Sequence, residues 1–518
     1  MFVIVHKEEK LLRVEEYKNN VLTLLPKYQN FNLDTILFEL SDKFQDSKIA
    51  WCLEELYGDI DWKAVDLCVQ RPMQIFSYNP SHTPVFNEVL SYANFLTTTA
   101  DNIPQNVRFP TWVTSAAIGV THAKLINKFC ALSGKYSFQI SLNAISHMGT
   151  TRGALHYSEP NLCTKKIDDI KQESLLETLN FIKNFLGMRW VVYTSLLYYI
   201  QHKKNFLTLV RRIFSKKYSF DIQNLKDLYD EVDSESIDEN DTIDVLIPTL
   251  GRKEFLKDVL DDLSQQTLLP KNVIIVEQHP DTRVSSELDY IYTNKWPFTI
   301  KHKYIHQLGA CNARNVGLEE LESKWMFAAD DDIRFNENLL EDAIAFMKTH
   351  SIGAVSMATY LPSQRKKKFS EVPYMFDGFA SGASIINQKY CRNLPFDMAF
   401  EFGYGEDTAY GCELRKRGCE VVYYPYNPIL HLKAPVGGFR FTFEHAWSKD
   451  EVQPKPSPSI MYFYKKYMNK EQIFAYKVFL FFSLVKKYKK INILSFGKRF
   501  NAQWKRSEYW ADDIKRSL

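Results

Sequence analysis

The sequence lacks the features that mark several large classes of protein. Its eight cysteines form no CxxC pair and no zinc-binding spacing, which is typical of a reducing compartment and not of a disulfide framework. The N-terminus does not have the basic-then-apolar layout of a signal peptide. No apolar run is long enough to span a membrane; the longest are residues 190–200 and 473–485, and Lys477 interrupts the second. We therefore expect a cytoplasmic protein whose contact with membranes is peripheral.

A strong net charge is also missing. A formal charge of +3 over 518 residues gives no case for a nucleic-acid partner. The chain is 45% hydrophobic and 25% charged, as in globular proteins that bury a sizeable core. Its length indicates two or three domains.

One segment departs from this even distribution of charge. Residues 230–241 contain seven acids in twelve positions and little apolar content. Like charges at that density are typical of a solvated linker. We place an acidic linker at residues 230–242, after an N-terminal domain of residues 1–229 and before a domain of residues 243–450 and a tail of residues 451–518.

The N-terminal domain shows a mixture of strand and helix patterns. Strands are predicted at residues 2–5 and 48–52, and helices at residues 33–44, at residues 122–132 and through most of residues 168–215. His147 and His156 are interpreted as structural histidines. No pair of acids next to a buried strand and no nucleophile motif occurs here. The domain is predicted to be mixed α/β, without an assigned role.

The second domain alternates strands and helices. The apolar patterns predict strands at residues 244–248, 273–276, 300–304 and 325–329, and helices at residues 253–266, 285–293 and 310–322. This order predicts a doubly wound, mostly parallel sheet that binds its ligand at the carboxyl ends of the strands.

The most informative motif is a buried strand that ends at three carboxylates. The apolar run of residues 325–329 is followed at once by Asp330, Asp331 and Asp332. Adjacent acids repel one another unless a cation is present, and Mg²⁺ or Mn²⁺ prefers carboxylate oxygens. The alternative is a solvated acidic turn, or an N-cap by Asp332 of the helix predicted at residues 336–349.

Further polar groups follow the predicted strands. Arg252 comes after the first strand, Glu277 ends the second, and Arg314 lies on the helix opened by the run Gly309–Gly317. Arg314 could pair with the carboxylates or with a diphosphate; the alternative is a surface arginine.

A second group of candidates lies nearer the end of the domain. Residues 379–386 are rich in small side chains, which let a substrate approach the backbone. Glu406 and Asp407 open a helix, where carboxylates serve as caps or as a general base. His431 follows an apolar run and is either structural or a metal ligand beside carboxylates.

Together these motifs resemble the family 2 glycosyltransferases with the GT-A fold. The resemblance covers about residues 243–435 and rests on Val245-Leu-Ile-Pro-Thr-Leu-Gly-Arg252, Val273-Ile-Ile-Val-Glu277, Gly309 with Ala313-Arg-Asn-Val-Gly317, Phe327 with Asp330-Asp-Asp332, and Gly405-Glu-Asp407. It implies a nucleotide-sugar donor, usually inversion at the anomeric carbon, and Mn²⁺ or Mg²⁺ as cofactor. The second strand ends in Glu277-Gln278 where the family usually has an acidic pair, so the nucleobase stays open, with a UDP-sugar favoured.

The resemblance also implies roles for individual residues. Asp330, Asp332 and His431 would hold the metal, and Asp407 would be the base, with Glu406 near the acceptor. The implied donor-binding residues are Pro248, Thr249, Arg252, Glu277, Arg314, Asp330 and Asp331. The implied acceptor-binding residues are Gly382, Ala383 and Ser384. The expected acceptor is a saccharide or lipid-linked saccharide in the synthesis of lipopolysaccharide, capsule or exopolysaccharide.

The N-terminal domain carries a fainter form of the same resemblance. Residues 33–52 resemble a helix and strand of a GT-A domain, and Trp112-Val-Thr-Ser-Ala-Ala-Ile-Gly119 resembles the small-residue segment. With no metal motif, we expect a degenerate, non-catalytic GT-A-like domain.

Two other functions stay open. A sugar nucleotidyltransferase also uses metal-bound carboxylates on a doubly wound sheet, but it would have a longer glycine-rich, basic loop than Gly251-Arg252-Lys253. The other is a carbohydrate-binding scaffold on an inactive transferase fold.

The tail differs in composition from the rest. Residues 460–518 hold fourteen Lys and Arg against four acids, interleaved with aromatic residues. A basic, aromatic helical segment predicts peripheral contact with the inner face of the cell membrane. The alternative is that the aromatic side chains pack against the catalytic domain.

Overall fold

The computed structural model describes most of the chain. The described residues are 1–28, 30–78, 85–93, 103–104, 106–165, 172–203, 218–222, 224–364, 368–435, 443–487 and 492–517. They form two compact units. The N-terminal unit contains Met1–Asp233 and Asn469–Lys477, and the C-terminal unit contains Ser234–Met468 and Val478–Leu518.

The division falls inside the acidic segment, but the segment is not solvated throughout. Asp241 is buried, and its carboxylate pairs with Lys324 at 2.8 Å and with Lys348. The expectation of a solvated linker is therefore wrong at the end of the segment, because two lysines of the C-terminal unit neutralise this acid.

The N-terminal unit is built on one mixed sheet. Its strands, in chain order, are β1 (Phe2–Lys7), β2 (Lys10–Lys18), β3 (Val21–Leu24), β4 (Lys48–Leu53), β5 (Gln74–Ser77), β6 (Phe109–Pro110), β7 (Ile118–His122) and β8 (Leu155–Ser158). They pair in the order β3-β2-β1-β4-β7-β5-β8-β6. The prediction of a mixed α/β domain is confirmed.

Helices cover this sheet. They are α1 (Leu33–Lys43), α2 (Trp62–Cys68), α3 (Val89–Ala93), α4 (Ala123–Asn127), α5 (Phe138–Thr150), α6 (Leu175–Phe181), α7 (Met188–His202) and α8 (Lys226–Asp230). Apolar residues of α1, α4 and α5 pack with Ile4, Ile49 and Trp51 of the sheet in one core. The helix predicted at residues 122–132 ends at Asn127. Residues 166–171 and 204–217 of the predicted helical stretch lie outside the described residues.

The C-terminal unit is built on a second sheet. Its strands are β9 (Ile243–Thr249), β10 (Asn272–Gln278), β11 (Thr299–Ile305), β12 (Trp325–Ala329), β13 (Ile333–Arg334), β14 (Ala354–Tyr360), β15 (Tyr374–Met375), β16 (Ala383–Asn387) and β17 (Val421–His431). The order is β11-β10-β9-β12-β16-β14-β17-β13, and β15 pairs with β17. The strands β11, β10, β9 and β12 are parallel, as predicted, and β16 runs antiparallel to both of its neighbours.

The helices of this unit are α9 (Lys253–Ser264), α10 (Tyr290–Thr293), α11 (Ala310–Leu318), α12 (Leu339–His350), α13 (Gln388–Cys391), α14 (Glu406–Lys416), α15 (Pro458–Tyr467), α16 (Lys470–Lys487) and α17 (Ile493–Ser517). The first part of α16 belongs to the N-terminal unit. Among the described residues, no helix combines the length and apolarity needed to cross a membrane.

Two predicted helices are shorter than expected. The helix predicted at residues 285–293 is helical only over Tyr290–Thr293, because the Ser286 hydroxyl accepts the Leu288 N–H in a local turn. The helix predicted at residues 310–322 ends at Leu318. Beyond it, the N–H groups of Glu322 and Ser323 donate to the buried Asp244 carboxylate.

Candidate active site

Three parallel strands end beside one another at the edge of the C-terminal sheet. In β9 and β10, Thr249 lies opposite Glu277, and β12 pairs with β9 on its other side. Asp330 follows β12 directly. In an open α/β sheet this edge is where ligands bind, so these residues mark the expected site.

The middle acid of the triplet, Asp331, is bound to two neighbouring side chains. Asp331 is buried, and its carboxylate accepts hydrogen bonds from the Thr249 hydroxyl at 2.7 Å and from Arg252 Nη1 at 2.6 Å. Burial raises the pKa of Asp331 to about 6, although Arg252 and Thr249 act in the opposite direction. These side chains bind one another, and the donor contacts of Thr249 and Asp331 stay a prediction. Arg252 also lies 3.4 Å from Asp332.

The outer acids of the triplet meet a histidine. One ligand atom from each of Asp330, Asp332 and His431 lies within 4.8 Å of the others. The pairing of β13 with β17 places Ile333 opposite His431, which brings the end of β17 to the triplet. The three residues predicted as metal ligands are therefore adjacent.

Asp332 has an oxygen atom that suits a cation. Its Oδ2 accepts the Ala434 N–H at 2.8 Å. Asp332 therefore caps this backbone, and it is not the N-cap of α12 that the alternative interpretation required. Its buried Oδ1 accepts no hydrogen bond from the described residues, with His431 Nε2 3.2 Å away. Burial opposes ionisation, but His431, the Ala434 N–H and Arg252 hold the pKa of Asp332 below its usual value. An ionised carboxylate with a buried, unbonded oxygen fits a divalent cation.

The small-residue segment lies directly against the first acid. The Asp330 N–H donates to Gly382 O at 2.9 Å, and a Cβ atom on Gly382 would lie 2.1 Å from the Asp330 carboxyl group. Glycine is therefore required here for close approach. Ser384, on β16, is fully buried and bonded to Ser356 at 2.6 Å. Ala383 is also buried, and the contact of these two residues with an acceptor stays a prediction.

Arg314 is not a surface arginine. It is buried on α11, and its Nη2 lies 3.3 Å from Asp330 Oδ1. Its guanidinium group lies over the Phe396 ring, 5.5 Å from the centroid, and its Nε has no hydrogen bond to a described residue. The structure thus places a buried cation beside the proposed metal carboxylate.

The proposed base lies at the start of α14. Asp407 Oδ1 accepts hydrogen bonds from the Ser381 N–H at 3.1 Å and from the Ser381 hydroxyl at 2.5 Å. Burial raises the pKa of Asp407, while Arg314 and Ser381 oppose that rise. Burial and the charge of Asp407 raise the pKa of Glu406. Ser381 was not predicted as a site residue, although it lies within the small-residue segment.

Glu277 is held by a partner that the sequence did not reveal. Its carboxylate lies 3.0 Å from His302 Nε2, and the Tyr292 hydroxyl lies 2.8 Å from His302 Nδ1. Burial opposes ionisation, but His302 and Ser286 hold the pKa of Glu277 below its usual value. Pro248, the remaining predicted donor residue, is half-buried on β9 opposite Val276.

Comparisons with known proteins agree with this site. The family model described as glycosyl transferase family 2 matches residues 244–405, which include the acidic triplet. A protein of Haemophilus influenzae, described as an uncharacterized glycosyltransferase, is 32% identical over 90 residues. That match covers 17% of this chain and 29% of the relative, so the chain spans less than a third of its length.

Solved structures show weaker likenesses. S. aureus TarS 1–349 in complex with UDP-GlcNAc is 17% identical, with a TM-score of 0.34, covering 43% of this chain and 63% of that one. GalNAc-T7 with UDP, GalNAc and Mn²⁺ is 14% identical, with a TM-score of 0.37, covering 54% and 57%. The match to the family model identifies residues 244–405, which lie on the sheet that carries the triplet, as a segment of the glycosyl transferase family 2 type.

Proposed function

We propose that the protein transfers a sugar from a nucleotide-sugar donor to a hydroxyl group of a saccharide acceptor. The observation that supports this most strongly is the meeting of Asp330, Asp332 and His431 at the strand ends. Ser381, two residues before β16, binds the proposed base Asp407. A site for the leaving diphosphate and a base for the acceptor are the two elements that glycosyl transfer needs.

Asp330, Asp332 and His431 would hold Mn²⁺ or Mg²⁺. When bound, such an ion acts as a Lewis acid that offsets the negative charge developing on the diphosphate. Arg314 would add a second positive charge on the same side, because its guanidinium group already lies against Asp330. Arg252 stabilises the site by forming an ion pair with Asp331.

Asp407 would take the proton from the attacking acceptor hydroxyl. A base must be ionised to accept a proton, and a raised pKa makes the carboxylate a stronger base. Arg314 and Ser381 favour its ionised form, while burial keeps its basicity above that of a solvated acid. A single base acting on the acceptor fits direct displacement, so we infer inversion at the anomeric carbon.

Glu277 is the proposed contact for the nucleobase. Its lowered pKa keeps it ionised, so it offers acceptor oxygens to a base that presents an N–H group. Uracil does so, which agrees with the UDP-sugar favoured from the sequence.

We extend the proposal to an acceptor that belongs to cell-surface polysaccharide synthesis and is presented at a membrane. The tail supports this only in part, because Tyr462, Phe463, Tyr464 and Tyr467 of α15 are buried in the C-terminal unit. Tyr467 and Lys466 bind the acids Glu413 and Asp397 there. The aromatic side chains of α15 therefore agree with the alternative interpretation, in which they pack against the catalytic domain.

The membrane contact is therefore proposed for a smaller surface. It consists of Phe479 and Phe482 on α16 and Ile493 and Leu494 on α17, all of them exposed; Leu494 is 82% exposed. Lys486 and Lys487 end α16 and make no ion pair with another described residue. Exposed apolar side chains beside lysines fit the interface of an anionic bilayer. Lys489 and Lys490 lie outside the described residues.

A panel of nucleotide sugars tests the proposal. The protein is incubated with each donor and an acceptor extract, with and without Mn²⁺, and nucleotide release is measured. We expect release of free nucleoside diphosphate from one donor, dependent on the metal. Formation of pyrophosphate would instead indicate a nucleotidyltransferase, and no turnover of any donor would indicate a binding scaffold.

A further inference from the structure

The sheet of the N-terminal unit repeats the pairing of much of the C-terminal sheet. Parallel β1/β4 corresponds to β9/β12, and antiparallel β4/β7 and β7/β5 correspond to β12/β16 and β16/β14. Parallel β5/β8 corresponds to β14/β17, and the short antiparallel pair β6/β8 corresponds to β15/β17. Five pairings among six strands therefore have the same direction in both units.

The register is also the same. Cys52 lies opposite Ile118 as Ala329 lies opposite Ala383. When these two pairs are taken as equivalent, residues 109–122 correspond one to one with residues 374–387, without a gap. No position in the two segments has the same residue. The correspondence is therefore visible in the backbone and not in the sequence.

Four hydrogen bonds outside the strand ladders coincide under this correspondence. Leu53 N donates to Ala117 O as Asp330 N donates to Gly382 O, and Thr111 N donates to His156 O as Phe376 N donates to Val421 O. Ser115 N donates to Ser77 Oγ as Ala380 N donates to Ser356 Oγ. Ala116 N donates to Gln139 Oε1 as Ser381 N donates to Asp407 Oδ1.

The last of these hydrogen bonds shows which residue of the N-terminal unit occupies the position of the proposed base Asp407. Gln139 is the second residue of α5, as Asp407 is the second residue of α14. Its Oε1 accepts the Ala116 N–H at 2.8 Å, and its Nε2 donates to Thr114 O at 2.6 Å. A neutral amide with both ends bound to the backbone cannot take a proton from a hydroxyl group.

The position of the acidic triplet is changed as well. Leu53, Glu54 and Glu55 correspond to Asp330, Asp331 and Asp332. Leucine offers no metal ligand, and the two glutamates pair with Arg13 at 2.7 Å and Lys7 at 3.4 Å. The cluster of acids and histidine found at the C-terminal triplet has no counterpart at these positions among the described residues.

The described residues of the N-terminal unit do not include the part of the sheet that would bind a nucleotide. In the C-terminal unit, β9 is followed outward by the parallel strands β10 and β11, whose carboxyl ends form the ligand edge. In the N-terminal unit, β1 is instead followed by the antiparallel strands β2 and β3. A β-hairpin of this kind offers no such edge.

We infer that the N-terminal unit is a second copy of the transferase scaffold, and that its described residues form no donor site, metal site or base. On this inference, the part of the chain that the structure describes holds one transfer site, which adds sugar from a single class of donor and does not alternate two donors through two active units. This inference rests on the proposed function of the C-terminal unit for the identity of the ligands, but the correspondence of the two sheets does not depend on it.

Binding stoichiometry tests the inference. Calorimetry with Mn²⁺ and UDP should give one equivalent per full-length chain, and none for the double variant Asp330→Asn/Asp332→Asn. The matched variant Glu54→Gln/Glu55→Gln should still bind one. Two equivalents in the wild type, or one equivalent retained by the Asp330/Asp332 variant, would overturn the inference. No binding by the wild type would contradict the proposed function while agreeing with the lack of a site in the N-terminal unit.

The variant Gln139→Ala provides a second readout that distinguishes folding from chemistry. Removing the amide leaves Ala116 N without its partner and takes from Thr114 O one of its two donors, the other being Asn143 Nδ2, so we expect a lower melting temperature. The rate of nucleotide release per folded molecule should be unchanged, and products made from mixed donors should contain one kind of added sugar. Loss of turnover in a folded Gln139→Ala protein, or incorporation of two alternating sugars, would contradict the inference.

Discussion

Arg314 Nη2 lies 3.3 Å from Asp330 Oδ1, so a buried cation touches one of the proposed metal ligands. The same guanidinium group lowers the pKa of Asp407, the proposed base. One side chain thereby acts on both halves of the site, on the diphosphate side through Asp330 and on the acceptor side through Asp407.

The first prediction follows from this double role. Replacing Arg314 with Gln removes the charge that favours ionised Asp407, so the pKa of the base rises further. The acidic limb of the pH profile of kcat should move to higher pH. Arg314→Lys keeps the charge and should move the limb less. An unchanged limb in Arg314→Gln would show that Arg314 does not act on the base.

The second prediction concerns the metal. Asp332→Asn keeps the size of the side chain and can still accept the Ala434 N–H, but it removes the charge that a divalent cation prefers. We expect loss of Mn²⁺-dependent nucleotide binding with an unchanged circular dichroism spectrum. Asp261→Asn, which breaks an exposed ion pair with Lys257 on α9, is the control. Wild-type turnover that is insensitive to EDTA would contradict the assignment.

The third prediction concerns the buried pair of Arg252 and Asp331. Their side chains are 11% and 3% exposed, so Arg252→Met leaves an unpaired charge in the interior. We expect a loss of about 3–5 kcal/mol in the free energy of unfolding, measured with urea. The double variant Arg252→Met/Asp331→Leu should recover much of that loss.

The control for this prediction is an exposed ion pair. Arg283 pairs with Asp281 at 2.6 Å while its side chain is 87% exposed. Because solvent screens such pairs, Arg283→Met should leave the urea midpoint unchanged. Equal effects of the two substitutions would show that Arg252 does not stabilise the site.

The fourth prediction concerns the proposed membrane surface. Phe479→Ser/Phe482→Ser in the full-length protein should reduce sedimentation with anionic vesicles, because these rings are exposed beside Lys486 and Lys487. Tyr426→Ser, another exposed aromatic position, is the control and should have no effect. Neutral vesicles should bind less, and salt should weaken binding. Binding that is equal for all three proteins would contradict the proposal.

The sequence predicted the parallel half of the C-terminal sheet well. In β9, β10 and β12 the apolar runs are continuous, as expected for strands buried on both faces. The triplet was recognisable because three acids directly after such a run have few structural explanations. The resemblance to the family implied Asp330, Asp332 and His431 as metal ligands, and the structure brings these three residues together.

The roles of partners within the site could not be predicted in the same way. Whether Thr249 and Asp331 face a ligand or each other depends on side-chain directions at the ends of two strands, which residue types do not determine. His302 lies on a strand of mixed polarity, so its approach to Glu277 has no sequence signal. The equivalence of Gln139 and Asp407 is likewise carried by backbone pairing, because residues 109–122 and 374–387, which bind them, have no identical residue at equivalent positions.

Asp407→Asn is also expected to change the stability of the protein. The direction of this change distinguishes a loss of catalysis from a folding defect. The folded-state pKa of Asp407 is raised, so the native state holds its proton to higher pH than the unfolded chain does. The free energy of unfolding therefore falls as the pH rises from the usual carboxyl pKa through the raised value. Asparagine carries no titrating proton and avoids this loss, so the variant should melt at a higher temperature than the wild type at neutral pH.

The most direct test of the account is acceptor-dependent nucleotide release by the wild type and by Asp407→Asn, measured with donor affinity on the same preparations. Because Asp407 is proposed to act on the acceptor hydroxyl alone, the variant should bind the donor as the wild type does. Its kcat should fall by about 10²-fold or more, the contribution of a positioned general base. Turnover above about a tenth of the wild-type rate, or loss of donor binding together with turnover, would contradict the assignment of Asp407 as the base.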